Sequence, residues 1–134
     1  LDLVTLVTTK NPKALKGAKF FETSTIDPDA ITTSTIIYEG SAQEAVRLFP
    51  ANINVAALLS LAGIGSEKTR VKIVADPGTN KNTHEIHAEG KFGKFSIKVE
   101  DVPSPKNPKT CRLAILAAIE CHKKICGTPL TIGT

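Results

Sequence analysis

An α+β domain, with a mixed or largely antiparallel sheet covered by helices, is the fold predicted by this chain of 134 residues. Three observations predict it. Two segments near the middle alternate apolar and polar residues with the period of a half-buried strand, and one is the first arm of a hairpin. Capped, mostly apolar stretches of helical length separate or follow them. Aromatic residues are scarce, with five Phe, one Tyr and no Trp among 41% hydrophobic residues, so the core is built from Ile, Leu, Val and Ala, which suits layered helix and sheet packing. Length and composition predict one domain over residues 1–134.

Leu1 to Thr9 is rich in Leu, Val and Thr without a breaker and predicts a buried strand with almost no lead-in. Asn11 to Gly17 is a polar connection. Phe20 to Tyr38 carries two β-branched stretches around Asp27-Pro28-Asp29 and predicts a hairpin-like excursion. Ser41-Ala-Gln-Glu44 is a capping box that opens a short helix ending at Pro50. A second helix follows Asn52 or Asn54, either able to cap it, and runs from Val55 to Ala62 before Gly63 stops it. Its apolar residues lie almost all the way round, the pattern of a helix buried in the domain or at a subunit contact.

Thr69 to Ala75 places Val71, Ile73 and Ala75 on one face and Arg70 and Lys72 on the other. Thr83 to Glu89 and Lys94 to Glu100 form a hairpin around Gly90-Lys91-Phe92-Gly93. Pairing Glu89 with Lys94 sets Glu85 opposite Lys98 and His87 opposite Ser96 on an outer face. The inner face then pairs Ile86 with Ile97, Ala88 with Phe95 and His84 with Val99. A slip of one residue would destroy both patterns, so His84 points inward and His87 points to water. After the Pro-rich loop Asp101 to Lys106, Asn107 and Pro108 open a last helix that reaches about Cys126, with His122, Lys123 and Lys124 suited to its negative end and Gly127 as its stop.

The formal charge of +4 arises from scattered basic residues, of which only Lys123 and Lys124 are adjacent. Without a basic stripe or stacking aromatics, nucleic-acid binding is not expected. The excess favours a small anionic substrate instead. No apolar run reaches the roughly 18 residues that span a bilayer, and the amino terminus lacks a signal-peptide layout, so the expectation is a soluble, cytoplasmic protein without membrane association. Cys111, Cys121 and Cys126 lack metal-ligand or redox spacing and are expected to be reduced packing residues. A chain that begins at Leu1 and contains no Met is expected to be processed or to be a piece of something longer.

Three places could carry chemistry. His84 is an imidazole on an otherwise apolar strand face, able to accept or return a proton near neutral pH; a buried histidine satisfied by a backbone carbonyl would show the same pattern. At Asn107-Pro108-Lys109-Thr110, helix amides, the Lys109 ammonium and the Thr110 hydroxyl could serve a carboxylate, or the segment is an ordinary capped helix start. The short link from Glu100 to Pro108 tends to keep it at the same end of the sheet as His84. Asn52 and Asn54 are amides at another helix start, where simple capping needs no function. Gly63-Ile64-Gly65 follows a helix and lacks the third glycine of a dinucleotide fingerprint. No P-loop, zinc-ligand set or nucleophile elbow is present, so no metal is expected.

The segments Tyr38-Glu-Gly-Ser-Ala-Gln-Glu-Ala-Val-Arg-Leu-Phe-Pro50, Asn52-Ile-Asn-Val-Ala-Ala57, Thr69-Arg-Val-Lys-Ile-Val-Ala-Asp-Pro77, Asn82-Thr-His-Glu-Ile86 and Asn107-Pro-Lys-Thr110 together resemble the carboxy-terminal domain of the L-aspartate dehydrogenase family. The resemblance covers Tyr38 to about Ile119 in order. It implies a fold like the carboxy-terminal domain of two-domain dehydrogenases of the glyceraldehyde-3-phosphate dehydrogenase kind, and an amino-terminal Rossmann domain for NAD or NADP that this chain does not show. It further implies a homodimer, and oxidation of L-aspartate to iminoaspartate as the first step of NAD biosynthesis. In such enzymes the His of Asn-Thr-His-Glu-Ile is catalytic, which maps to His84, and an Asn of the Asn-x-Asn-Val-Ala motif contacts the cofactor, assigned to Asn54 with Asn52 second. Asn107, Lys109 and Thr110 are assigned to the substrate carboxylates from charge and position. A related amino-acid or imine reductase, or a non-catalytic dimerisation or small-anion-binding domain, are the competing readings.

Overall fold

The computed structural model describes residues 1–102 and 112–127. The chain divides into two compact units, Leu1–Glu100 and Asp101–Thr134. In the first, a five-stranded sheet has the order β2-β3-β1-β4-β5, with β1 at Leu3–Lys10, β2 at Thr35–Ser41, β3 at Arg70–Ala75, β4 at Asn82–Gly90 and β5 at Gly93–Asp101. The central strand β1 runs parallel to β3 and antiparallel to β4, and β2 is antiparallel to β3. The fold is therefore α+β around a mixed sheet.

Alternation along each strand decides which face is covered. Leu6 lies beside Val71 and Ile86, and Thr8 beside Ile73 and His84. Leu6, Val71, Ile73 and Ala75 are fully buried on that face. Helices α1 (Pro12–Leu15), α3 (Ala42–Leu48) and α4 (Asn54–Ala62) cover it, contributing Leu15, Ala42, Ala45 and Ala56 to one core cluster with Ile53 and Phe49. Burying one large aliphatic side chain of this kind contributes about 1.5–3 kcal/mol. The opposite face carries Thr5, Val7, Thr9, Lys72, Glu85 and His87, each partly exposed, with Lys72 paired to Glu39 at 3.1 Å.

The capping box forms as expected, with the Ser41 hydroxyl accepting from the Glu44 amide at 3.2 Å. The hairpin also forms. Gly93, at φ +111°, closes it in a backbone region that a side chain rarely adopts. His87 Nδ1 lies 3.2 Å from Ser96 Oγ, and Lys98 Nζ 3.5 Å from Glu85, so these four side chains share the outer face that the register predicted. The predicted inner face is only partly buried: Ala88 and His84 are covered, whereas Phe95 and Ile97 on the edge strand are about half exposed.

Two expectations are corrected. Phe20 to Tyr38 is not a hairpin: it holds α2 (Phe20–Thr23), a 3-10 turn at Pro28–Ala30 and then β2, whose partner is β3. Packing of the Phe20 ring against Phe49, 5.1 Å between centroids, outweighs strand propensity there. Neither Asn52 nor Asn54 caps α4. Ile53 occupies the N-cap without a side-chain hydrogen bond, because its burial in the core sets where the helix begins. Within this chain α4 has Ala56 and Ser60 covered and Leu58 and Leu61 exposed, so burial in the domain accounts for only one side of its apolar surface.

In the second unit the described helix is α5 (Arg112–Gly127), whose first amide donates to the Val102 carbonyl at 3.1 Å. Cys121 and Cys126 on it are free but exposed, which corrects their expected packing role; Cys111 lies outside the described residues. Among the described residues no helix is long and apolar enough to cross a membrane.

Candidate active site

The covered face of the sheet is apolar until it reaches one end. There β1 and β3 finish, β4 begins, and the side chains become Thr8 and His84. Strand alternation directs both inward, and both are buried, Thr8 at 1% and His84 at 9% exposure. They are direct cross-strand partners, and Thr8 Oγ1 lies 3.1 Å from His84 Nδ1 in a hydrogen bond. A buried imidazole so far along an apolar stripe is costly unless its polar atoms are satisfied, and this contact satisfies one of them. At Nδ1 the partner is thus a side-chain hydroxyl. Thr8 was missed by sequence reasoning. The signal was present in the stripe Val4, Leu6, Thr8, where a hydroxyl follows two aliphatic residues, but its meaning depends on the β1–β4 register.

The connection into β4 is tied down locally. The Asp76 amide donates to the Lys10 carbonyl at 2.9 Å, and the Asp76 carboxylate accepts from the Gly78 amide at 2.8 Å. Asn11, which also caps α1, donates through Nδ2 to the carbonyls of Pro77 and Thr79 at 3.2 and 3.0 Å. These contacts hold the loop after β3 against the end of β1, and so fix where Asn82-Thr83-His84 enters the sheet. His84 therefore rides on a strand paired along its length and entered from an anchored loop, the kind of support that keeps a reacting group in place.

His87, by contrast, is nearly half exposed on the outer face, beside Ser96 and 3.7 Å from Glu85. Asn52 sits in the turn after α3, where its amide donates to the Phe49 carbonyl at 2.9 Å, and Asn54 is the first residue of α4 and exposed. Among the described residues neither side-chain amide makes a hydrogen bond. Asn107, Lys109 and Thr110 lie outside the described residues. No group of three or more His, Cys, Asp or Glu side chains among the described residues is placed to hold a metal ion.

Tyr38 is another buried polar group, and it has a defined role. Its hydroxyl lies 3.0 Å from the Ser41 carbonyl and 3.1 Å from the Glu44 carboxylate, joining β2 to the cap of α3. Burial, and then the hydrogen bond and charge of Glu44, push its pKa up from 10.0 to about 12. A Cβ at Gly40 would run into that hydroxyl, which explains a glycine between Tyr38 and the capping serine.

Comparison with known proteins places these features in a family. The family model described as aspartate dehydrogenase, C-terminal, matches residues 1–125. An L-aspartate dehydrogenase of Nitrosopumilus maritimus is 64% identical over 134 residues, covering all of this chain and 49% of that protein. One of Methanococcoides burtonii is 53% identical over 131 residues, covering 98% of this chain and 48% of its own length. The crystal structure of aspartate dehydrogenase from Thermotoga maritima superposes with a TM-score of 0.67 at 30% identity, over 98% of this chain and 47% of that one. The chain thus spans about half the length of the curated relatives it matches. On the strength of the family match across residues 1–125, the chain belongs to the aspartate dehydrogenase C-terminal domain family.

Proposed function

We propose that this chain is the carboxy-terminal, substrate-side half of an NAD- or NADP-dependent L-aspartate dehydrogenase, which oxidises L-aspartate to iminoaspartate in the first step of NAD biosynthesis. The observation that carries the reading is His84: a buried imidazole at the end of an apolar sheet face, in the Asn82-Thr-His-Glu-Ile86 segment, hydrogen-bonded through Nδ1. Oxidation requires the Cα hydrogen to leave as hydride and one proton to leave the nitrogen as C=N forms. His84 takes that proton, directly or through water. NAD or NADP, when bound, supplies the hydride acceptor. Its phosphates and adenosine belong to a Rossmann domain elsewhere in the enzyme, and the side chains of Asn54 and Asn52, uncommitted within the described residues, are assigned to its nicotinamide end.

Lys109, Thr110 and Asn107 are assigned to the two carboxylates of aspartate, where the Lys109 cation and the polar Thr110 and Asn107 side chains would align the Cα hydrogen. A homodimer belongs to the same proposal, supported by the exposed apolar side chains of Leu58 and Leu61 on α4. A cytoplasmic location is supported by the free thiols of Cys121 and Cys126.

The test is turnover by the two-domain enzyme that contains this chain. Formation of NADH or NADPH that depends on L-aspartate is the expected result. Reduction of the cofactor by another amino acid but not by aspartate would assign the chain to a different reductase, and no turnover with any amino acid would leave only a binding or dimerisation role.

A further inference from the structure

We propose that Asn11 is a positioning residue for His84: its side-chain amide clamps the loop between β3 and β4 where that loop crosses the end of β1, and so sets where β4 delivers the imidazole. This rests on the reading of His84 as the acid/base group. The topology requires such a crossing. β3 and β4 flank β1, and both β1 and β3 run toward the end of the sheet at which β4 starts, with Lys10 opposite Ala75 and Thr9 opposite Thr83. The chain therefore passes from one neighbour of β1 to the other over Lys10 and Asn11.

The loop is longer than the crossing needs. Two strand spacings amount to about 10 Å, whereas the seven Cα steps from Ala75 to Asn82 reach about 23–25 Å when extended. Loop length thus allows β4 to enter at several heights, and contacts must select one. Many of the loop's hydrogen bonds are internal, joining Asp76 to Gly78 and Thr79, and Thr79 to Lys81. The Asp76 amide fastens the start of the loop to the Lys10 carbonyl at 2.9 Å. Among the described residues, the hydrogen bonds that reach residues 77–79 from outside the loop both come from Asn11, whose Nδ2 donates to the Pro77 and Thr79 carbonyls at 3.2 and 3.0 Å.

The place calls for a carboxamide. Asn11 Oδ1 accepts from the Lys13 amide at 3.1 Å and caps α1, which turns the NH2 group toward the two carbonyls. Asp and Ser cap a helix about as well as Asn, but neither can donate to two carbonyls while accepting from Lys13. Capping therefore does not account for the asparagine, and its nitrogen serves the loop. The consequence falls on His84, the third residue of β4, which lies opposite Thr8 and so three positions before Asn11 along β1. A slip of β4 by one residue would turn the imidazole to the outer face. A displacement of about 1 Å at a reacting group can cost about 10²-fold in rate.

Asn11→Ser and Asn11→Asp keep the cap and remove the clamp. In the two-domain enzyme both are expected to lower kcat about tenfold, while the KM for aspartate changes less than about twofold. Amide exchange followed by mass spectrometry should quicken in residues 76–86 of both variants and stay as it was in β2. A residue that only caps α1 would leave kcat and this exchange untouched in both. Unchanged kcat in Asn11→Ser overturns the proposal, and so does a rise in KM alone or an exchange that quickens equally throughout the sheet. Should Asn11→Asp not fold, the neutral Asn11→Ser decides. His84→Ala separates the two levels: unchanged turnover there removes both readings, whereas a collapse at His84 with full activity in Asn11→Ser removes only the role of Asn11.

Discussion

Tyr38 is a spectroscopic handle as well as a packing residue, because it is the single tyrosine of a chain without tryptophan. Its folded pKa lies near 12 against an ordinary 10.0. The protonated phenol is thus favoured by folding, and its contribution to stability is present in full below pH 10 and is lost as pH rises through about 12. Tyrosinate absorbance of the folded chain is expected to titrate well above that of the urea-unfolded chain, and Tyr38→Phe should remove part of the alkaline loss of stability. Coincident titrations in the two states would contradict the buried hydrogen-bonded phenol. On the substrate side, Lys109→Ala in the two-domain enzyme should mainly raise the KM for aspartate; an unchanged KM would remove Lys109 from substrate binding.

Secondary structure was legible where local patterns and tertiary packing demand the same thing. The β4–β5 hairpin could be registered from charge and apolar pairing alone, and the contacts of His87 with Ser96 and of Glu85 with Lys98 agree with it. The cap at Ser41 was equally plain, and Ser41→Ala is expected to cost about 1 kcal/mol, measured by urea unfolding. What the sequence could not show are pairings between distant strands. Ile36 and Ile37 look like part of a hairpin until β3 is known to be their neighbour, and a shift in the β2–β3 register between Ile36 and Tyr38 breaks the alternation that would have revealed it. The start of α4 failed for a related reason: two asparagines advertise a cap, but burial of Ile53 decides the boundary. Thr8 belongs to the same class, since nothing near it in the chain announces a histidine 76 positions away.

Within the first unit, helices α1, α3 and α4 gather on one face of the sheet, so the core and the candidate site share a single layer. Leu6 lies at the centre of that layer, fully buried between β3 and β4, and Leu6→Ala should cost about 2–5 kcal/mol in unfolding free energy. The site at the end of the layer is a half-site in the proposed enzyme, because hydride transfer needs a nucleotide held elsewhere. The central claim is that this half supplies the proton-transfer group. It is tested most directly by comparing His84→Ala with His87→Ala in the two-domain enzyme, with L-aspartate as substrate. The account predicts a loss of about 10²–10⁴ in kcat at His84 with little change in KM, and nearly unaltered kinetics at the exposed His87. Equal, mild effects at the two positions would contradict it.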